Sequence, residues 1–156
     1  QVVAVDIFDD KLAFAVECGA VATINASQVA DTVEAIREIT KGGAHVSIDA
    51  LGSPTTCFNS IKNLRRRGRH VQVGLMLGEH ATPSIPMAQV IGHELEIYGS
   101  HGMQAWRYDA MLSMIQAGKI APQKLIGKRV GLDEAITVLT CMDETRDIGI
   151  SVIDNF

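Results

Sequence analysis

From residue 1 to residue 100 the chain alternates between short runs of apolar and β-branched residues and longer segments with helical spacing. Parallel strands cannot be joined by a tight turn and need a crossover, usually a helix. Such alternation therefore points to an α/β fold built on a parallel sheet. The first run, Val2-Val-Ala-Val5, leads directly into Asp6, and a helical segment from Asp9 to Cys18 closes on Gly19. A continuous apolar run with a polar residue at its end is the signature of a strand buried on both faces. In open sheets of this kind ligands gather outside the carboxyl ends of the strands, where an acid is placed to accept ribose hydroxyls. Asp6 is a candidate for that role.

The same reading continues down the chain. Val21–Asn25 is a second strand, and Ser27 caps a helix from Gln28 to about Lys41 with Val29, Val33, Ile36 and Ile39 inward. Val46–Leu51 is a third strand. Gly52 follows it, and Ser53-Pro54 opens a helix to about Arg67, since proline in the first turn loses no hydrogen bond. His70–Leu75 is a fourth strand, Met76–Pro86 a loop, Met87–Gly92 a short helix and Leu95–Ser100 a fifth strand. Trp106–Ala117 and Asp133–Met142 read as helices, Ile120–Ile126 as an extended connector and Gly149–Asp154 as a last strand.

Composition narrows the function classes. A net charge of -4 gives no general attraction to nucleic acid or anionic membranes, and no apolar run is long enough to span a bilayer. Arg65-Arg-Arg-Gly-Arg69 is read as a solvated helix end, where cations meet the favourable pole of the helix dipole. Cys18, Cys57 and Cys141 are widely spaced in apolar contexts, which fits free thiols in a reducing compartment and a cytoplasmic location. The histidines lack i, i+4 pairing and cysteine partners and are read as surface or satisfied core residues rather than metal ligands. The methionines are expected to fill core and interface gaps.

The order of motifs resembles the cofactor-binding and C-terminal portion of the medium-chain, zinc-type alcohol dehydrogenase family. The residues that carry the resemblance are Val-Val-Ala-Val-Asp6 with Lys11 downstream, Glu17-Cys-Gly-Ala20 and Asp49-Ala-Leu-Gly-Ser53. Gly68-Arg-His-Val-Gln-Val-Gly74, Glu96-Ile-Tyr-Gly-Ser100 and Leu132-Asp-Glu-Ala135 with Gly149–Ile153 complete the set.

This resemblance implies a Rossmann-like doubly wound parallel sheet that lacks its first strand and Gly-rich turn, both of which would precede residue 1. It implies a partial dinucleotide-binding domain over 1–101 and a C-terminal helix and strand segment over 102–156 that returns toward a catalytic domain outside the chain. Asp6 would accept the adenosine ribose and disfavour a 2′-phosphate, so NAD is the expected cofactor, with Lys11 beside the same ribose. Asp49, Ala50 and Leu51 would flank the adenine side and approach the nicotinamide ribose. Val73, Gly74 and Leu75 would meet the carboxamide, and Ser100 and His101 would complete the nicotinamide pocket. A basic residue near Gly149 would neutralise phosphate, and Arg146 is the nearest. Zinc would belong to the catalytic domain, so this portion alone is expected to carry no catalysis. The expected partners are a dinucleotide, a small alcohol or carbonyl substrate in the parent and a second copy of the chain, with contact through Ser84–Pro86 and Leu95–Ser100.

Two alternatives remain at this point: another Rossmann-like enzyme, such as an S-adenosylmethionine-dependent methyltransferase, and a non-catalytic binding domain. Without the first strand, the sheet is expected to close by pairing Val2–Val5 with Val46–Ile48, or through a strand from another chain.

Overall fold

The computed structural model describes residues 1–142 and 147–156, and every strand pair in it is parallel. The described residues form two compact units, Gln1–Gly102 and Met103–Phe156. Arg146 lies outside the described residues.

The first unit holds β1 (Val3–Asp6), α1 (Asp9–Glu17), β2 (Ala22–Asn25), α2 (Thr32–Thr40), β3 (Ala44–Asp49) and α3 (Pro54–Lys62). It continues through β4 (Leu64–Gln72), α4 (Met87–Gly92) and β5 (Glu96–Gly99). Its strands fall into two sheets, β1-β2 and β3-β4-β5. The second unit contains α5 (Tyr108–Gln116), β6 (Ile126–Gly131), α6 (Leu132–Thr140) and β7 (Ile150–Asn155), with β6 paired to β7. The alternation of strand and helix was thus legible, but the expected connector Ile120–Ile126 is a 3-10 turn at Pro122–Leu125 leading into β6.

The expected pairing of Val2–Val5 with Val46–Ile48 does not occur. β1 bonds only β2, in the register Val3↔Ala22 to Asp6↔Asn25, and β3 bonds only β4. Helix α2 packs against both β2 and β3, so a helical crossover rather than a backbone ladder joins the two sheets. Among the described residues β1 and β3 each keep one unpaired edge, and Val2 (63%) and Ile48 (64%) stay exposed.

Helix boundaries follow local hydrogen bonding. α2 begins at Thr32, not Gln28, because the Asp31 carboxylate accepts from the N–H groups of Val33 (2.8 Å) and Glu34 (3.1 Å). Ser27 is instead turned back on Asn25, whose Oδ1 accepts from its N–H and its hydroxyl. Val29 therefore lies outside the helix, while Val33 and Ile36 are buried as expected. α3 starts where Ser53-Pro54 places it, with a reciprocal cap between Ser53 and Thr56, but stops at Lys62 rather than Arg67.

The arginine run accordingly sits on β4, not at the end of α3. Arg65 donates to the carbonyls of Thr40 (3.0 Å) and Gly43 (2.8 Å), so it caps the end of α2 across the sheet. Arg67 and Arg69 pair with Glu94 and Glu96. These charges hold a helix end and pair across strands, and they do not form the helix terminus that the sequence led us to expect. The methionines differ from expectation in another way: none is buried, and Met87, Met103, Met114 and Met142 are exposed.

The core of the first unit is formed by Leu12, Ile24, Val33, Ile36, Cys57, Ile61 and Leu64. The face of β3 and β4 beneath α3 is unusual because its buried members are polar: Ser47, Asp49 and His70 join Ser60 of α3. Strand side chains alternate between faces, so Val46 and Ile48 point away from α3 and are exposed.

The cap assignment is testable. Asp31→Ala should cost about 1 kcal/mol of stability, whereas the exposed Ser27→Ala should stay within about 0.5 kcal/mol of the parent. Urea unfolding midpoints of the two variants distinguish the assignments, and an equal loss at Ser27 would contradict the observed helix start.

Candidate functional site

The carboxyl ends of β3, β4 and β5 lie side by side, because the registers pair Asp49 with Gln72 and Gln72 with Gly99. The loops that leave these ends carry Ala50 and Leu51, Val73 to Leu75, and Ser100 and His101. Eight of the residues expected in a cofactor site, Asp49 included, are thus gathered on one edge by strand register alone. Ala50, Leu51, Val73, Leu75, Ser100 and His101 are all exposed there.

Asp49 is the buried anchor of this edge, at 3% exposure. Its Oδ1 accepts from the N–H groups of Leu51 (3.0 Å) and Gly52 (3.1 Å), and its Oδ2 accepts from the Gln72 amide (2.9 Å). Its backbone carbonyl accepts from both Val73 and Gly74 at 2.9 Å. The carboxylate is thus committed to shaping the Leu51–Gly52 turn rather than facing solvent, while the backbone carbonyl holds the Val73–Gly74 loop. Burial raises its proton affinity, but the hydrogen bonds from Gln72, Gly52, Leu51 and Thr56 outweigh that and leave its pKa below the ordinary 3.8.

The two loops touch backbone to backbone. A Cβ on Gly74 would lie 2.2 Å from the Gly52 nitrogen, and a Cβ on Gly52 would lie 2.3 Å from the Leu75 carbonyl oxygen. Gly52 also adopts φ +82, which disfavours any side chain. The sequence signal for Gly52 was visible, and its partner Gly74 closes another of the family motifs, Gly68–Gly74.

Beneath this edge runs a row of polar groups that sequence reasoning did not single out. The Gln72 amide nitrogen donates to Asp49 Oδ2 and to the Gly74 carbonyl, both at 2.9 Å. Its Oε1 lies 3.1 Å from His70 Nε2, and His70 Nδ1 lies 3.1 Å from Ser60 Oγ and 3.4 Å from Ser47 Oγ. The available signal was the alternation His70-x-Gln72-x-Gly74, which puts these residues on one face of a strand. His70 is a satisfied core residue at 1% exposure, within the pair of readings given to the histidines. Burial lowers its pKa below 6.5, against weaker opposing effects of the Gln72 hydrogen bond and the Asp49 charge. Burial, reinforced by Asp49, also raises the Cys57 thiol, which stays protonated and serves packing.

Asp6 ends β1 as expected. Its Oδ1 accepts from the N–H groups of Ile7 (2.7 Å) and Phe8 (3.1 Å), which fixes the carboxylate at the strand end. Lys11 holds its ammonium 4.9 Å from the centroid of the Phe8 ring, a cation–π contact that sequence reasoning missed. A carboxylate at a strand end is a group of the kind that can accept from ribose hydroxyls. A metal is a different matter. Among the described residues no group of three or more His, Cys, Asp or Glu could hold one.

An open depression of about 450 Å³ in the second unit is lined by Leu132, Asp133, Glu134 and Phe156, among others. Its two carboxylates would repel a pyrophosphate, so its size does not make it the cofactor site.

Comparisons with known proteins follow the same line. A profile of the family described as zinc-binding dehydrogenase matches residues 1–117. A probable D-xylulose reductase A of Aspergillus niger is 32% identical over 139 residues, covering 86% of this chain and 38% of the relative. Sorbitol dehydrogenase 1 of Saccharomyces cerevisiae is 28% identical over 141 residues, covering 86% and 39%. Among solved structures, an NAD-dependent alcohol dehydrogenase superposes with a TM-score of 0.87 at 28% identity, covering all of this chain and 44% of that one. The chain thus spans about two fifths of the length of these relatives.

The buried groups make stability depend on pH. His70 has a folded pKa below its unfolded value, so the unfolded chain binds the extra proton first as pH falls. Stability should be fully present above about pH 6.5 and decline as pH drops toward the folded value, with Asp49 adding a second loss below about 3.8 in the same direction. Unfolding midpoints between pH 8 and 3 measure this, and His70→Gln should flatten the upper part of the decline.

Proposed function

We propose that this chain, which belongs to the zinc-binding dehydrogenase family, is the NAD(H)-binding portion of an alcohol dehydrogenase-like oxidoreductase. The parent reaction is hydride transfer between an alcohol and an aldehyde or ketone. The observation that carries the reading is the convergence of Asp49–Leu51, Val73–Leu75 and Ser100–His101 on one sheet edge, with Asp6 at the carboxyl end of β1.

When bound, NAD supplies the hydride acceptor and this chain supplies its orientation. Asp6 accepts hydrogen bonds from the adenosine ribose hydroxyls, and its charge disfavours a 2′-phosphate. Lys11, held over Phe8, adds a cation beside that ribose. The Val73 and Gly74 N–H groups are already donated to Asp49, so a carboxamide would meet the Val73 carbonyl and the Leu75 N–H. Ala50, Leu51, Ser100 and His101 flank the nicotinamide side. Zinc is assigned to a part of the parent outside this chain, and no step is routed through it. Residues 1–101 carry the cofactor role and 102–156 form the return segment, so this portion alone has no catalysis.

Dehydrogenase family membership removes the support for a methyltransferase reading. The partners are the dinucleotide, the parent's small alcohol or carbonyl substrate and a second copy of the chain. Exposed Ile85, Ile97 and Tyr98 favour a homo-oligomer contact through Ser84–Pro86 and β5. The free thiols of Cys18, Cys57 and Cys141 favour a cytoplasmic location. Among the described residues no helix is long and apolar enough to cross a membrane.

Calorimetric titration with NADH, NADPH and S-adenosylmethionine tests the reading. NADH should bind and S-adenosylmethionine should not. Hydrogen bonds to a charged group contribute about 1.5–3 kcal/mol, so Asp6→Ala should weaken NADH binding by about 10- to 100-fold and narrow its preference over NADPH. Tighter binding of NADPH than NADH by the parent chain would refute the role given to Asp6.

A further inference from the structure

The polar row under α3 has a direction. Asp49 Oδ2 and the Gly74 carbonyl only accept, so the Gln72 amide must present its nitrogen to both. Gln72 Oε1 then faces His70 Nε2, which must carry the ring proton. Nδ1 is left as an acceptor, and the Ser60 hydroxyl donates to it. The series runs Ser60 to His70 to Gln72, and from Gln72 to Asp49 and the Gly74 carbonyl. Every link between side chains joins buried or half-buried groups, where an unmatched donor or acceptor is costly.

We propose that His70 is a positioning residue for the dinucleotide site: its Nε2–H locks the Gln72 amide, which donates to the Gly74 carbonyl of the adjoining loop and orients the Asp49 carboxylate that holds the Leu51–Gly52 loop. The inference rests on the dinucleotide reading for what the loops bind, but not for how they are held. His70 lies on β4 two residues before Gln72, the strand's last residue, and at 1% exposure it does not reach the surface. Its effect passes through Gln72, which holds Asp49 Oδ2 while Oδ1 accepts from the Leu51 and Gly52 amides. The tight approach of Gly52 to Gly74 leaves these loops little room to adapt if the carboxylate turns.

The test compares His70→Gln with His70→Met, two side chains of similar shape, only the first of which can offer an N–H to Gln72. Hydrogen exchange of the Leu51 and Gly52 amides is followed without ligand, and NADH affinity is then measured by calorimetry. His70→Gln should keep both amides protected and NADH affinity near the parent's. His70→Met should expose the amides and weaken NADH about tenfold, as expected when a buried hydrogen bond is left unmade. Equal behaviour of the two variants would reduce His70 to packing and overturn the proposal. If neither variant folds, ¹⁵N spectra of the unaltered protein decide it: a neutral Nε2–H imidazole supports the series, and an Nδ1–H tautomer overturns it. Protected amides in a parent chain that binds no NADH would refute the dinucleotide reading, and with it the cofactor role of His70.

Discussion

The buried carboxylate of Asp49 is the constraint on which the ligand-facing edge of this protein depends. A charge at 3% exposure persists only when hydrogen bonds replace its lost hydration. Here the replacements come from the neighbouring loop and strand: Leu51, Gly52 and Gln72 on the side chain, Val73 and Gly74 on the backbone carbonyl. The carboxylate thereby fixes the Leu51–Gly52 turn, and the backbone carbonyl of the same residue holds the Val73–Gly74 loop against it. The same economy explains why the face of β3 and β4 beneath α3 is polar, since each buried partner of Asp49 needs a partner in turn, back through His70 to Ser60.

That arrangement leaves the exposed side of the edge free for binding. Leu51, Val73 and Leu75 present apolar surface there, and Ser100 and His101 bring polar groups from the adjacent strand end. Asp6 is built differently, as a half-buried acid held by two N–H groups of its own turn. One acid is spent on holding a turn from within, and the other stands half-buried at the end of β1, where the proposed reading puts the adenosine ribose. This division of labour places a fixed framework behind a solvated contact, which suits a cofactor that must bind, be reoriented and leave.

Much of this was legible in the sequence because it rests on local rules. Alternation of strand and helix marked the parallel class, Ser53-Pro54 marked the start of α3, and Asp6 and Asp49 stand at the ends of β1 and β3 as expected. What escaped depends on contacts distant in the chain. Arg65 looked like part of a helix end, yet it caps α2 through Thr40 and Gly43. Asp31 outcompeted Ser27 as a cap because Asn25 had already engaged Ser27. Val2–Val5 and Val46–Ile48 carry the apolar pattern of neighbours, but pattern alone does not say which edges meet, and α2 joins the two sheets without a ladder between them. His70 and Gln72 were read as strand residues, since only the register of β3 against β4 brings them to Asp49.

The central claim is that one sheet edge, together with Asp6, receives a nicotinamide dinucleotide. Amide resonances followed during addition of NADH test it most directly. Shifts should concentrate at Ile7 and Phe8, at Ala50 to Gly52, at Val73 to Leu75 and at Ser100 and His101. Shifts confined to Gly131–Glu134, or none at saturating NADH, would contradict the account.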